Sequence, residues 1–349
     1  MHKGLKYFSY GKEIVKGHLL RQNIPVLVTL CVTNRCNLRC RYCYEEYYDR
    51  NHREFTTTEI MALIETLSAM GTRYVSINGG EPLLRNDLEQ IIDQVKAKNM
   101  LCHLSTNGLL LPQYIQAMKN VDSIAISLDG DSASHDYNRG KGTYDRVLTA
   151  FEVLKANHIP FHTSTVLTKQ NTRALEHILA LARQYGFQAQ FSTLRAADSP
   201  QPELALSDAE LDDVFKKILR YKQQKQPIFF SAQAYQHALN WPLSYNTQMV
   251  FHEQAQNQHH EEECYLKHFS CHIEANGLVY PCIVLVNKFE ALNFLEVGFQ
   301  KAWENATTCE CKACYNLCTN DLNQIFGLRL SAIWNAFKIV LERIRARRK

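Results

Sequence analysis

Three thiols stand together in Cys36-Asn37-Leu38-Arg39-Cys40-Arg41-Tyr42-Cys43, at CxxxCxxC spacing, directly after the apolar run Val26 to Val32. Thiols this close on one loop can ligate a single compact centre, and their odd number is informative, because a structural zinc or iron–sulfur site takes four ligands. One metal position stays open. An iron–sulfur cluster held at three of its four irons leaves the last iron free to chelate a small ligand, which suits activation of a cofactor by electron transfer. The alternatives are a three-thiol zinc site completed by a distant residue, or thiols that are merely buried.

The elements that must position this loop follow from the rest of the chain. Its 349 residues, 46% hydrophobic with a net charge of +4, have an ordinary globular composition. The length suits two domains or one large barrel with an appendage. No run of eighteen apolar residues occurs, and the N-terminus lacks a charged-then-apolar signal, so a cytoplasmic location is expected. Twelve cysteines in a reducing compartment are not a disulfide framework. Ten of them crowd into Cys36 to Cys43 and Cys264 to Cys318, as metal ligands do; Cys31 and Cys102, within apolar runs, read as core thiols.

Strands are expected at Val26 to Val32, Tyr74 to Ile77, Leu101 to Leu104, Ser123 to Leu128, His162 to Val166 and Gln188 to Ser192. Helix-period segments lie between them near Thr58 to Met70, Asp87 to Lys98, Tyr144 to Asn157 and Arg173 to Tyr185, with Thr57 or Thr58 and Thr172 as caps. The alternation predicts an α/β fold with a parallel sheet, open or curled. Ligands gather at the carboxyl ends of such strands. There the sequence places Asn78-Gly79-Gly80-Glu81-Pro82, whose glycines admit close backbone approach and whose Glu81 can accept from an ammonium group. Ser105-Thr106-Asn107-Gly108 and Ser127-Leu128-Asp129-Gly130 follow the next two strands.

CNLRCRYC, with Tyr42 just before the third cysteine, resembles the signature of the radical S-adenosylmethionine (radical SAM) enzymes, and Gly79-Gly80-Glu81-Pro82 resembles their second motif. The resemblance implies a partial (β/α)6 TIM-like barrel, open on one side, with a [4Fe-4S] cluster on Cys36, Cys40 and Cys43. It also implies S-adenosylmethionine as cofactor, reduced by way of a flavodoxin or ferredoxin and cleaved to a 5′-deoxyadenosyl radical. Gly79, Gly80 and Glu81 would hold its amino group, and Ser105, Asn107, Ser127 and Asp129 its carboxylate or ribose. Tyr42 would offer backbone to the adenine, and Thr165, followed by Asn171, matches the fifth strand end. His135-Asp136-Tyr137-Asn138-Arg139-Gly140 is similar to the HDxxRG stretch of members with an extra cluster domain, and Arg139 can pair with a carboxylate.

Residues 198–263 break the alternation. Ser207-Asp208-Ala209-Glu210 reads as a capping box before a helix over Leu211 to Gln223, and Trp241-Pro242 ends a second helix. His252, His259, His260 and Glu261 to Glu263 read as a solvated polar stretch rather than a metal site. Beyond them, His272 to Tyr280 predicts a hairpin with Asn276-Gly277 in a primed turn. Cys264, Cys271 and Cys282, followed by Cys309, Cys311, Cys314 and Cys318, resemble the SPASM domain or its shorter twitch relative. That resemblance implies at least one auxiliary [4Fe-4S] cluster, expected on Cys264, Cys271, Cys282 and one later thiol. A zinc site at Cys309 to Cys318 is the alternative.

The expected organisation is an N-terminal amphipathic helix (1–25), the barrel (26–197), a helical linker (198–263) and a cluster domain with a terminal helix (264–349). That last helix places Leu330, Ile333, Trp334, Phe337, Val340, Leu341 and Ile344 on one face, expected to dock. Residues 329–349 carry net charge +6, echoing Lys3, Lys6, Lys12, Lys16 and Arg21 at the other end. The sharper reading of both ends is peripheral contact with an anionic membrane surface or acidic partner; a nucleic-acid partner is not expected. Proteins with such cluster domains frequently modify peptides, so peptide or protein modification leads. A small-molecule, cofactor or lipid-precursor enzyme is the alternative within the family, weighted by the short stretch before the first strand. A non-catalytic iron–sulfur scaffold or electron carrier is the alternative outside it.

Overall fold

Helix α1 (Lys3–Leu20) leads into six short apolar runs that become β1 (Leu27–Cys31), β2 (Tyr74–Asn78), β3 (Leu101–Thr106), β4 (Ser123–Ser127), β5 (Phe161–Leu167) and β6 (Gln188–Thr193). This computed structural model describes residues 3–43, 53–195, 199–251 and 263–346. The polar stretch from His252 through His259, His260 and Glu261, and Arg347 to Lys349, lie outside the described residues. Between the strands run α2 (Thr57–Ala69), α3 (Leu88–Ala97), α4 (Ile115–Met118), α5 (Ser132–Arg139), α6 (Thr143–Ala156) and α7 (Leu175–Tyr185). The cap of α2 is Thr56, one residue before the expected position, in a reciprocal box with Glu59.

Successive residues of each strand face opposite ways, and their chemistry divides accordingly. Val28, Leu30, Val75, Ile77, Leu104 and Ile126 are fully buried, in one hydrophobic cluster with Ile60, Ile64, Ile91 and Val147 of the helices. Full burial of each such side chain contributes about 1.5–3 kcal/mol, enough to fix the register. The other face carries Thr29, Cys31, Ser76, Asn78, His103, Ser105, Ser127 and His162. β1 to β6 pair in parallel and in sequence order, as expected of a barrel with a polar interior.

Residues 199–251 contribute α8 (Asp208–Gln223), capped by Ser207 and Glu210 as expected, α9 (Ala232–Leu239) and β7 (Met249–Phe251). Their Phe215, Tyr235 and Trp241 belong to the same buried cluster as the barrel core. Then follow α10 (Leu266–Phe269), β8 (Ser270–Ile273), β9 (Leu278–Tyr280), β10 (Leu292–Asn293), α11 (Phe294–Val297), α12 (Phe299–Thr307), β11 (Cys311–Cys314), α13 (Leu317–Phe326) and α14 (Leu330–Ala346). β8 pairs in parallel with β1, Leu27 opposite Ser270 and Leu30 opposite Ile273. Among the described residues the main sheet therefore has nine strands, in the order β10-β9-β8-β1-β2-β3-β4-β5-β6. β11 pairs with β7 in a separate ladder.

Two expectations need correction. The β8–β9 turn is not primed: only Gly277 has positive φ, at 98°, and its N–H donates to Glu274 O at 2.9 Å. This is a turn closed by a glycine bulge, which needs one left-handed residue rather than two. The apolar face of α14 is the outward one: Leu330 is 83% exposed, Trp334 57% and Phe337 48%. The helix docks instead through Ala332, Ile339, Asn335 donating to Phe229 O at 3.2 Å, and Arg343 bonded to His162 Nδ1 at 3.0 Å. α1 likewise turns Leu5, Phe8, Val15 and Leu19 outward while Glu13 pairs with Arg73 at 2.7 Å. No described helix is long and apolar enough to cross a membrane.

Candidate active site and cluster-binding thiols

The loop after β1 brings Cys36, Cys40 and Cys43 to the carboxyl end of the barrel, where they line a cavity of about 240 Å³. Backbone bonds set its shape: Cys43 N–H donates to Cys40 O at 3.1 Å, and Arg41 N–H to Asn138 O at 2.9 Å. Donors also face the sulfurs, with Leu38 N–H at 3.4 Å from Cys36 Sγ and Arg139 Nη1 at 3.9 Å from Cys40 Sγ. Burial pushes the Cys36 thiol up to about 11 and raises Cys40 against the pull of Arg139. Thiolates here need a cation to neutralise them. Three convergent thiols with donors aimed at sulfur fit an iron–sulfur cluster, whose potential such hydrogen bonds tune.

The HDxxRG stretch braces this loop from α5. His135 Nδ1 accepts Asp129 N–H at 3.1 Å, and burial lowers its pKa to about 4, so the ring is neutral near pH 7. Asp136 accepts Gly142 N–H at 2.6 Å and Tyr144 N–H at 2.9 Å, satisfying orphan donors at the start of α6. Tyr137 O accepts Arg41 Nε at 2.9 Å. Arg139 forks onto fully buried Asp129, Nε to Oδ2 at 2.7 Å and Nη2 to Oδ1 at 3.5 Å. Tyr42 O–H donates to the same carboxylate at 2.5 Å, and Val166 N–H at 3.2 Å. Thus Asp129 ties the loop, α5 and β5 together.

The glycine loop after β2 presses against the start of the cysteine loop. Gly80 N–H donates to Thr33 O at 2.9 Å and Glu81 N–H to Arg35 O at 2.8 Å. A Cβ at Gly79, where φ is 144°, would stand 2.6 Å from Thr33 O, and one at Gly80 2.4 Å from Arg35 O. Neither position can hold a side chain without moving the thiols. Glu81 is fully buried and accepts from Leu83 N–H at 3.1 Å, Thr106 O–H at 2.7 Å and Asn107 N–H at 2.7 Å. Burial raises its pKa to about 7 despite those donors. Asn107 in turn donates to Asn37 Oδ1 at 2.7 Å, joining β3 to the cysteine loop.

Of the residues expected at the cofactor, Tyr42, Gly79, Gly80, Ser105, Asn107, Ser127 and Arg139 line the cavity together with the three thiols. Glu81, Asp129 and Thr165 are fully buried and do not line it. Thr165 Oγ1 donates to Leu128 O at 2.6 Å, Glu81 holds three donors, and Asp129 is shared by Tyr42 and Arg139. The sequence reading missed Cys31, which lines the cavity although an apolar run surrounds it. Strand alternation was the available signal: Cys31 shares a face with Thr29, not with Leu30.

A second group of thiols meets where the hairpin and β11 converge. Burial raises Cys264 to about 12, with Cys314 and Cys309 adding to it. Burial also raises Cys282, helped by Cys314 and Cys264, and Cys311, helped by Cys314, Cys264, Cys282 and Cys309. Cys264, Cys282, Cys311 and Cys314 are thus near one another and number four, as many as one cluster takes. Cys309 adjoins this set, its sulfur accepting Cys311 N–H at 3.4 Å, and burial raises Cys318, with Asp321 and Cys314 adding to it. Cys271 stands apart. It pairs with Val28 on β1, belongs to the hydrophobic cluster, and only burial raises its thiol. This separates it from the ligand set in which the sequence reading had placed it.

Residues 30–182 match the Radical SAM superfamily. Mycofactocin maturase MftC of Mycolicibacterium smegmatis is 35% identical over 176 residues, 49% of this chain and 45% of that protein. The chain thus matches less than half the length of that relative. The AdoMet-dependent heme synthase of Methanosarcina barkeri is 27% identical over 308 residues, 81% of this chain and 83% of its own. Streptococcus suis SuiB, solved with its precursor peptide SuiA, shares the fold at a TM-score of 0.63 and 16% identity, covering 84% of this chain and 67% of SuiB. The matched span takes in the cysteine loop, the glycine loop and the bracing helix α5, so this part of the chain is similar to the radical SAM superfamily.

Proposed function

We propose that this chain is a radical SAM enzyme that modifies a peptide or protein. One observation carries the reading: three loop thiols and the glycine loop share a cavity at the carboxyl ends of the strands, beside a unit with four further convergent thiols. One-electron reduction of a sulfonium, giving a hydrogen-abstracting 5′-deoxyadenosyl radical, is the chemistry that the [4Fe-4S] cluster and S-adenosylmethionine supply when bound. Cys36, Cys40 and Cys43 are the residues to hold that cluster. Gly79 and Gly80 offer backbone to the methionyl end, and Ser105, Asn107 and Ser127 offer polar groups to its carboxylate and ribose. The Asp129 knot keeps this wall rigid. Cys264, Cys282, Cys311 and Cys314 are the residues to hold one auxiliary cluster, with a reduced flavodoxin or ferredoxin as the electron donor.

The likeness to a mycofactocin maturase, and to the fold of SuiB with its precursor peptide, supports a peptide substrate. The heme synthase likeness extends over 308 residues and favours a tetrapyrrole as the second reading. Anaerobically reconstituted protein, given dithionite and S-adenosylmethionine, should release 5′-deoxyadenosine. Deuterium passing into that product from a labelled candidate precursor peptide supports the first reading, and transfer only from a labelled porphyrin the second. No release from cluster-filled protein overturns both.

The thiol assignment has its own test. Cys282→Ser is expected to lose about four iron per chain while still cleaving some cofactor unproductively. Cys271→Ala should keep all its iron. Equal loss from both would remove Cys282 from the set or return Cys271 to it.

α1 and α14, which carry the outward apolar stripes, are tied to the amino ends of strands through Arg73 before β2 and His162 in β5, and Lys12, Lys16 and Lys338 lie on the same helices, with Arg21 just after α1. This chemistry suits an anionic lipid surface, where each basic side chain contributes about 1 kcal/mol. Pelleting with phosphatidylglycerol vesicles should exceed that with neutral ones and fall in Trp334→Ser/Phe337→Ser protein. Equal pelleting with both lipids would end the idea.

A further inference from the structure

Cys31, His272 and Glu274 converge where the barrel meets the C-terminal hairpin. Cys31 ends β1, His272 lies on the neighbouring β8, and Glu274 opens the turn that follows. Their sulfur, ring nitrogen and carboxylate oxygen all lie within 4.8 Å of one another, and all three residues are buried. His272 Nε2 is 3.7 Å from Cys31 Sγ and 2.5 Å from Glu274 Oε1. None of the three belongs to the cluster-binding sets above.

We propose that these residues form a mononuclear divalent-metal site of the zinc type, adjoining the cavity through Cys31. The ligand chemistry is zinc's: one thiolate, one imidazole and one carboxylate. Tetrahedral zinc would separate sulfur from nitrogen by about 3.5 Å, given ligand bonds near 2.3 and 2.0 Å. The Cys31–His272 spacing already matches. Glu274 needs only to exchange its hydrogen bond to His272 for the ion, widening that contact by less than ~1 Å.

Charge balance allows the same occupant: a thiolate and a carboxylate together neutralise one divalent cation. His272 Nδ1 is buried without a hydrogen-bond partner, so no protein group prevents it from carrying the ring proton while Nε2 takes the ion. Rigidity comes from the hairpin: Glu274 N–H donates to Leu278 O at 3.0 Å, and Leu30 and Ile273 lock the two strands in register. Three protein ligands leave a fourth position, as catalytic rather than structural zinc sites do.

The test uses the full chain with its iron–sulfur clusters already filled, so that the other thiols are occupied. After zinc addition and gel filtration, wild type should retain about one zinc per chain beyond its iron. Zinc X-ray absorption should report one sulfur among lighter nitrogen and oxygen neighbours. Cys31→Ser and His272→Gln should lose that zinc with iron and sulfide unchanged. The proposal is overturned if cluster-filled wild type retains no zinc, if its zinc has three or four sulfur neighbours, or if both variants keep it. Should a variant also lose iron through misfolding, the wild-type stoichiometry and sulfur count decide alone. Neither measurement depends on cofactor cleavage, so failure of the radical reading and failure of this one are separable.

Discussion

Cys40→Ala protein is expected to release no 5′-deoxyadenosine above background and to lose about four iron per chain, while the auxiliary iron remains. Two thiols cannot replace three here, because the loop offers no substitute. Asn37 is spent on Asn107, Arg41 on α5 and Tyr42 on Asp129. Cys40 is also the thiol that Arg139 faces, so its removal leaves a buried guanidinium directed at a vacant corner. Anaerobic iron and sulfide counts, with chromatographic assay of the nucleoside, check both parts. Wild-type release from Cys40→Ala would sink the assignment of the loop.

Asp129→Asn should cost about 3–5 kcal/mol, the usual penalty for stripping one partner from a buried ion pair. The carboxylate receives Tyr42, Arg139 and Val166 at once and is fully buried. An amide in its place turns a donor toward one of those donors. Arg139 cannot relieve the strain by deprotonating. A guanidinium stays protonated in proteins, and the variant removes the carboxylate that chiefly offsets the burial of Arg139. Because the knot joins the cysteine loop to α5, the variant should shed the loop cluster before the auxiliary one. Denaturant unfolding and staged iron release measure the two effects; wild-type stability would show the pair to be dispensable.

The six barrel strands were legible within about two residues because each is a short apolar run bounded by turn formers. α5 was not recognised as a helix. Its sequence, SASHDYNR, lacks an apolar stripe, and it folds through the Asp131 cap, which accepts Ser134 N–H at 2.9 Å, and through its bonds to the cysteine loop. Cys31 was hidden for the opposite reason. A continuous run such as Leu27 to Val32 does not tell the helix-covered face from the polar interior until neighbouring strands are in register. Cys271 was grouped with the other thiols through the family resemblance, yet its register opposite Val28 sets it in the hydrophobic cluster. In α14 periodicity correctly found the residues sharing a face, but nothing local told which way the face turns. Arg343 and Asn335 decided that through partners more than a hundred residues distant.

The β1–β8 pairing also governs how the molecule can be made. Leu27 leaves the ribosome long before its partner Ser270 exists, and at ~5–20 residues per second the delay is roughly 10–50 s. Throughout that interval one margin of the nascent sheet lies bare, immediately before the cysteine loop. Holdase protection and delivery of iron and sulfide therefore compete with translation itself. Slowing elongation would lengthen the period in which the half-made chain is open to oxygen and to strand-to-strand aggregation.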